Sequence, residues 1–282
     1  MTEAEKVHGY SRGELMKMDV SSLRAILHER THHGIEVYLY RILKGKMEKP
    51  KKYGAQARYL LNLWEERGLP TDTPDIQWCR WNIEAAEKLD RDEKVELGTR
   101  KPEPFKEDEM KTVRKLLYER RSIRQFRDEP VPESMIGEIL YAGLMAPQGC
   151  NVDSRRFLIL RTPEEWKLVS SDLPVENCIM ILVLQDMKVY KTLRFDKLVP
   201  QNIFYDAAAA ADHICLMAHA LGLGACWLTH GEETQMKIRS HFGLHEDLVS
   251  RLHIIVGWPD ENPVKSLRMS LDDAIINQFD KP

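Results

Sequence analysis

Arg120, Arg121 and Arg124 surround Ser122 within five residues, and Phe126 closes the segment. Guanidinium groups are planar forks matched to phosphate oxygens, and a serine hydroxyl can donate into the same cluster. The segment is a candidate clamp for a phosphorylated ligand, with a solvated basic turn as the alternative. A second constellation, His28-Glu29-Arg30-Thr31-His32, has the H-E-x-x-H form of helical zinc sites. On a helix its two imidazoles share one face, with the glutamate placed to activate a metal-bound water. A third ligand is missing from the pattern, because His33 would point about 100° away from His32. We therefore assign no metal. His230, next to Gly231, is a third candidate, since an imidazole titrates near neutral pH and can move a proton. The alternative for His230 is a polar loop residue.

The 282 residues must supply a scaffold for these groups, and their composition bounds what that scaffold is. A hydrophobic fraction of 43% and a charged fraction of 30% are those of an ordinary soluble protein with a proper core. With a formal net charge of −3 there is no global electrostatic footprint for nucleic acid. No apolar run approaches the roughly 20 residues that span a bilayer, and the N-terminus lacks a secretory pattern. The five cysteines are odd in number and scattered, with no C-x-x-C pair, so reduced thiols in a cytoplasm are expected. A basic run from Arg41 to Lys52 is expected to be solvated surface.

Apolar periodicity places a helical segment over the first hundred residues. Ser21-Ser22 is the expected cap of a helix continuing towards Gly45. A second helix covers 55–67 and stops at Gly68-Leu69-Pro70, and a third starts at Thr73-Pro74. The charge-rich stretch 87–106, with Pro102 and Pro104, is the expected linker. Beyond it, helices and strands alternate. Helices are expected at 111–119, from 131 to about 143, after Thr162-Pro163 and at 201–221. Strands are expected at 156–161, 179–184, 225–229 and 252–256. The division is thus a helical extension and linker over 1–106 and a sheet-containing domain over 107–282.

Several motifs of the second part stand in a distinctive order. They are Arg120-Arg121-Ser122-Ile123-Arg124-Gln125-Phe126, Pro130-Val131-Pro132, and Ala146-Pro147 followed by Asn151. After them come the run from Ala218 through Gly222-Leu223-Gly224-Ala225-Cys226-Trp227 and the late strand ending Gly257-Trp258-Pro259. Together they resemble the nitroreductase family of FMN-dependent oxidoreductases over about residues 110–279. The resemblance implies an α+β fold with a mixed, mainly antiparallel sheet between helices. It also implies a homodimer with the flavin at the subunit interface. By the same resemblance, Arg120, Arg121, Ser122 and Arg124 hold the FMN phosphate and ribityl chain, and Lys265 and Arg268 close over the phosphate. Pro147, Gln148, Gly149 and Asn151 lie along the flavin from across the interface. Thr229, His230 and Gly231 present backbone N–H groups to the flavin N5 edge, with His230 and Gly231 as the catalytic pair.

The implied activity passes electrons from NAD(P)H through FMN to a small electron-poor acceptor such as a nitroaromatic, quinone or enone. Residues 152–156, Val-Asp-Ser-Arg-Arg, depart from the family's usual run. They leave open a specialised chemistry, reductive dehalogenation or oxidative flavin chemistry, or a non-catalytic flavin- or ligand-binding protein. Asp153 and Arg155 are there either to touch a charged substrate or to form a structural ion pair.

Overall fold

The computed structural model describes residues 6–96, 103–169 and 176–276. The expected linker lies in part outside them, Pro102 included. The extension begins with α1 (Arg12–Lys17), whose Ser11 and Glu14 form a reciprocal capping box. Then α2 (Val20–Thr31) passes through one π-helical turn, His32–Glu36, into α3 (Val37–Leu43). The N-cap of α2 is Asp19, not the expected serine pair: its carboxylate accepts from the Ser22 N–H at 3.0 Å, and Ser22 is buried. Next, α4 (Ala55–Glu66) ends before Gly68, whose φ of +64° takes the chain out of the helix. The Trp64 indole then donates to the Pro70 carbonyl at 2.8 Å. Pro74 opens α5 (Pro74–Asp90), where its missing N–H costs nothing.

The second part contains α6 (Glu107–Glu119), α7 (Glu133–Met145), β1 (Arg155–Leu160), α8 (Pro163–Val169) and β2 (Ile179–Asp186). It continues through α9 (Met187–Thr192), α10 (Phe195–Leu198), α11 (Asn202–Ala220), β3 (Gly224–Thr229), α12 (Glu232–Phe242), β4 (Leu248–Gly257) and α13 (Leu271–Ala274). The four strands run in the order β1-β2-β4-β3, every neighbouring pair antiparallel. A short parallel bridge, Ser122 to Ala225, extends the sheet beyond β3.

Alternation along the buried strands divides their side chains between two cores. Ile181, Val183 and Ile254 pack against α7 and α11 through Ile139 and Ile214. Met180, Leu182 and Ile255 face the opposite side, with Ile238 of α12 and Trp166 of α8. Gly143 does not end α7 as expected. It lies inside the helix, where an added Cβ would come within 3.0 Å of Ile214 and Phe157, so its role is close packing. A third core joins Leu23, Ile26, Trp64 and Ile76 of the extension to Val152, Tyr190 and Leu193 of the second part. The extension is therefore fastened across the expected 106/107 division. Among the described residues, no helix is long and apolar enough to cross a membrane.

Candidate functional site

After α6 the arginine segment is pinned to the edge of the sheet. The Ile123 N–H donates to the Ala225 carbonyl at 3.1 Å, and the Arg127 N–H donates to the Trp258 carbonyl at 2.9 Å. Ile123 and Phe126 are the buried anchors. Each presses on a glycine: a Cβ at Gly224 would sit 2.7 Å from Ile123, and one at Gly257 would sit 2.8 Å from Phe126. The glycines of the two late motifs thus exist to let the arginine segment approach. The Glu261 carboxylate accepts from the backbone N–H groups of Arg124 and Gln125 and fixes the turn.

Ile123 points in, leaving the polar side chains about it at the edge of three adjoining cavities along α11 and β3. Phe204, Ala208, Asp212, Cys215 and His219 follow helical spacing and give α11 one face towards them. The first cavity, about 260 Å³, is mainly apolar and is walled by Phe204, Tyr205, Trp227 and Thr229. The middle one, about 400 Å³, adds Arg120, Ser122 and Asp212 to Trp227 and Thr229. The third, about 260 Å³, holds Arg120 and Arg121 with His219 and Gly222. Trp227 is 40% exposed, offering an indole to the first two. Burial, then the Arg120 charge, holds the His219 pKa below its ordinary value. Burial pushes the Cys215 thiol up to about 12, so it is not a nucleophile.

Arg120 makes no hydrogen bond or ion pair with any described residue, and the buried Arg121 Nε is also without a partner. Two guanidinium groups with unspent donors at one end of a groove, and an exposed indole at the other, fit a ligand with an anionic head and a flat ring.

Other expected site residues lie elsewhere. Pro147, Gln148 and Asn151 line a separate cavity of about 800 Å³ against the extension. The Gly149 N–H donates to Asp206 at 2.8 Å, and Cys150, Asn151 and Asp153 all have positive φ, at 55°, 51° and 55°. Such left-handed residues persist only where the surroundings hold them. One chain therefore does not bring this loop to Arg120 and Ser122. Arg124 and Arg268 are exposed, and the Lys265 ammonium sits over the Tyr118 ring at 5.9 Å; none of the three lines the groove. Gly231 is exposed and precedes α12, while Thr229 alone of its trio lines the cavities.

His230 turns inward. Its Nδ1 lies 3.2 Å from Nδ1 of the buried His253, and burial lowers its pKa to about 4 and that of His253 to about 3. With Nδ1 against His253 and Nε2 buried, the His230 ring is turned away from the cavities and is not placed to protonate a ligand there, which corrects that reading. Arg155 is corrected too. It is 2% exposed and its guanidinium donates to the carbonyls of Gly143, Leu144 and Ala146, closing the end of α7. Val152 belongs to the extension's core, and Arg156 reaches the Asp153 carbonyl at 2.9 Å and Ser21 at 3.4 Å. Residues 152–156 form the socket of the extension.

In the H-E-x-x-H segment every polar member has a partner. His28 pairs with Asp75 at 3.0 Å, His32 with Glu36 at 2.7 Å, and Glu29 with His8, Arg30 and His33. Burial raises the Glu29 pKa, but the three donors outweigh it and leave the carboxyl far below the usual range. Among the described residues, no group of three or more His, Cys, Asp or Glu could hold a metal ion.

An antiparallel sheet between helices is the architecture the motifs implied, and comparison with known proteins agrees. The family model described as the nitroreductase family matches residues 117–177 and 169–258, and this chain belongs to that family, with an added N-terminal helical extension. An Archaeoglobus fulgidus protein named "Putative NADH dehydrogenase/NAD(P)H nitroreductase" is 30% identical over 160 residues, covering 54% of this chain and 88% of that protein. A Methanothermobacter thermautotrophicus protein of the same name is 30% identical over 151 residues, covering 51% and 75%. A solved Desulfovibrio desulfuricans structure, described as a "putative nitroreductase in complex with fmn", is 30% identical with a TM-score of 0.51. It covers 59% of this chain and 96% of that one.

Proposed function

We propose that this chain is an FMN-dependent NAD(P)H oxidoreductase that passes electrons to a small electron-poor acceptor, a nitroaromatic, quinone or enone. The observation that carries the reading is the groove, with unspent arginines at one end and Trp227 at the other. The FMN seen with the Desulfovibrio relative and the nicotinamide in the archaeal relatives' names support it. Arg120 and Arg121 would hold the phosphate through charge-assisted hydrogen bonds. Ser122 and Asp212, which line the middle cavity, would be the polar groups available to the polyol chain, and Thr229 would serve the ring end. Bound there, FMN would supply reversible hydride transfer, while the protein supplies orientation and electrostatics.

The working form in this reading is a homodimer. The loop bearing Pro147, Gln148 and Asn151 lies in a different cavity from Arg120, so the complete site draws one half from each subunit. Large exposed side chains support such an interface: Tyr141, Met145, Phe204 and Tyr205 are each more than half exposed. We further propose that 107–282 is the flavin-binding domain and 1–106 an accessory unit, working in a cytoplasm that suits its five free thiols.

Comparative titration of flavin-stripped protein with FMN and riboflavin tests the reading. FMN binds more tightly than riboflavin, and Arg120→Gln removes about 1.5–3 kcal/mol of FMN binding, roughly 10- to 150-fold, without changing riboflavin affinity. Equal affinity for the two flavins would contradict the phosphate assignment.

A further inference from the structure

The largest of the four cavities described above is one that the family core does not make alone. Its far wall comes from the extension, where His32 and Glu36 sit on the π-helical turn and Asp75 and Trp78 on α5. Its near wall is Tyr141, Met145, Pro147 and Gln148. A π-turn is rare and is frequently found at functional sites. Here it sets His32 above Glu36, so that Nδ1 meets the carboxylate at 2.7 Å while Nε2 has no partner among the described residues. Trp78 lines the same cavity. Behind this pair, His28 meets Asp75 at 3.0 Å and stands edge-on to Trp78 with ring centroids 5.8 Å apart. His28 is 2% exposed and its Nδ1 is unpartnered, as is Gln148 Oε1 across the cavity. Four ring or polar groups thus converge on one space with hydrogen-bonding capacity left over.

Charge narrows the ligand. Each imidazole here already has its carboxylate, Asp75 being shared with Arg24, and both terminal nitrogens of Arg155 donate to backbone carbonyls, which leaves only its buried Nε without a partner. The terminal guanidinium donors that would grip an anionic substrate are thus committed, whereas Trp78 and Tyr141 offer flat apolar surface. We propose that the extension forms the acceptor pocket, and that His32, held at Nδ1 by Glu36, donates its Nε2 proton to an uncharged, flat conjugated carbonyl or quinone. This rests on the oxidoreductase reading above.

For an enone the step balances as follows. The hydride equivalent from NAD(P)H forms a C–H bond at the β-carbon, and the C=C electrons move to the carbonyl oxygen. The His32 Nε2–H bond breaks as the O–H bond forms, leaving a neutral imidazole that solvent reprotonates. The groups facing His32 are Glu36 and His33 on its own turn, the His28–Asp75 pair with Trp78, and Asp153 and Arg155 on the loop side. The His32 hydrogen bond holds Glu36 below the usual carboxylate range, so it stays anionic beside the ring.

Anaerobic stopped-flow reoxidation of the reduced holoprotein by 2-cyclohexen-1-one tests the step. His32→Gln slows reoxidation by about 100-fold or more. Glu36→Gln gives a smaller loss, while His33→Gln, whose ring pairs with Glu29, keeps the wild-type rate. With no nicotinamide present, menadione added to the oxidised protein quenches a tryptophan signal that is missing in Trp78→Phe. A His32→Gln protein with normal FMN content and wild-type reoxidation overturns the proton-donor role. Preference for 4-nitrobenzoate over nitrobenzene overturns the pocket's charge argument. Wild-type protein that takes up no FMN overturns both this proposal and the reading beneath it.

Discussion

The half-buried His230 and the buried His253 set a pH signature that a surface histidine would not. His230 and His253 are held to about 4 and about 3, mainly by burial, against an ordinary 6.5. Their folded pKa values lie below the unfolded ones, so the unfolded chain binds more protons and stability rises with pH. Between about pH 6.5 and 4.5 the fold loses about 1.4 kcal/mol per pH unit for each proton taken up. Urea midpoints between pH 7.5 and 5 measure this, with close to two protons gained on unfolding near pH 5 and a weaker slope in His253→Gln. His219, also lowered by burial, adds in the same direction. A flat profile would contradict the buried neutral pair. Residue types showed the candidate groups, and Arg120 and Ser122 line one cavity beside β3. They could not show that His230 turns towards the core, because which way a residue at a strand end faces depends on its cross-strand neighbour. Nor could they show that Arg155 caps a helix, since its acceptors are backbone carbonyls 9 to 12 residues away.

At the scale of elements, the long helices and four strands were legible from periodicity and from Gly and Pro punctuation. The short α9, α10 and α12 were not, because their helical form is imposed by packing against the sheet and the extension. The π-turn was also invisible, as it leaves composition unchanged and alters only how His32 and Glu36 meet. The departure at 152–156 was visible as an oddity, and its cause lies over 100 residues upstream, in the helices that Val152 and Arg156 hold. Arg155 joins the end of α7 to this socket. Arg155→Met leaves three carbonyls of the α7 terminus without their donor and costs at least about 3 kcal/mol. Thermal unfolding checks this, and an unchanged Tm would show that the guanidinium is dispensable to the cap.

For the molecule as a whole, the family fold sets a cationic groove at one edge of the sheet and a strained loop elsewhere on the chain, and dimerisation is the proposed step that unites them. The extension then gives the assembled site a wall that the compact fold lacks, which ties the acceptor's chemistry to the first hundred residues. The central claim is that the groove beside Arg120 holds a flavin that NAD(P)H reduces, and anaerobic visible spectroscopy of the purified protein tests it most directly. We predict one FMN per chain and complete bleaching of its absorption on adding NADH or NADPH, with colour restored by a quinone. A protein that remains colourless after incubation with FMN, or whose bound FMN neither nicotinamide bleaches, would contradict it.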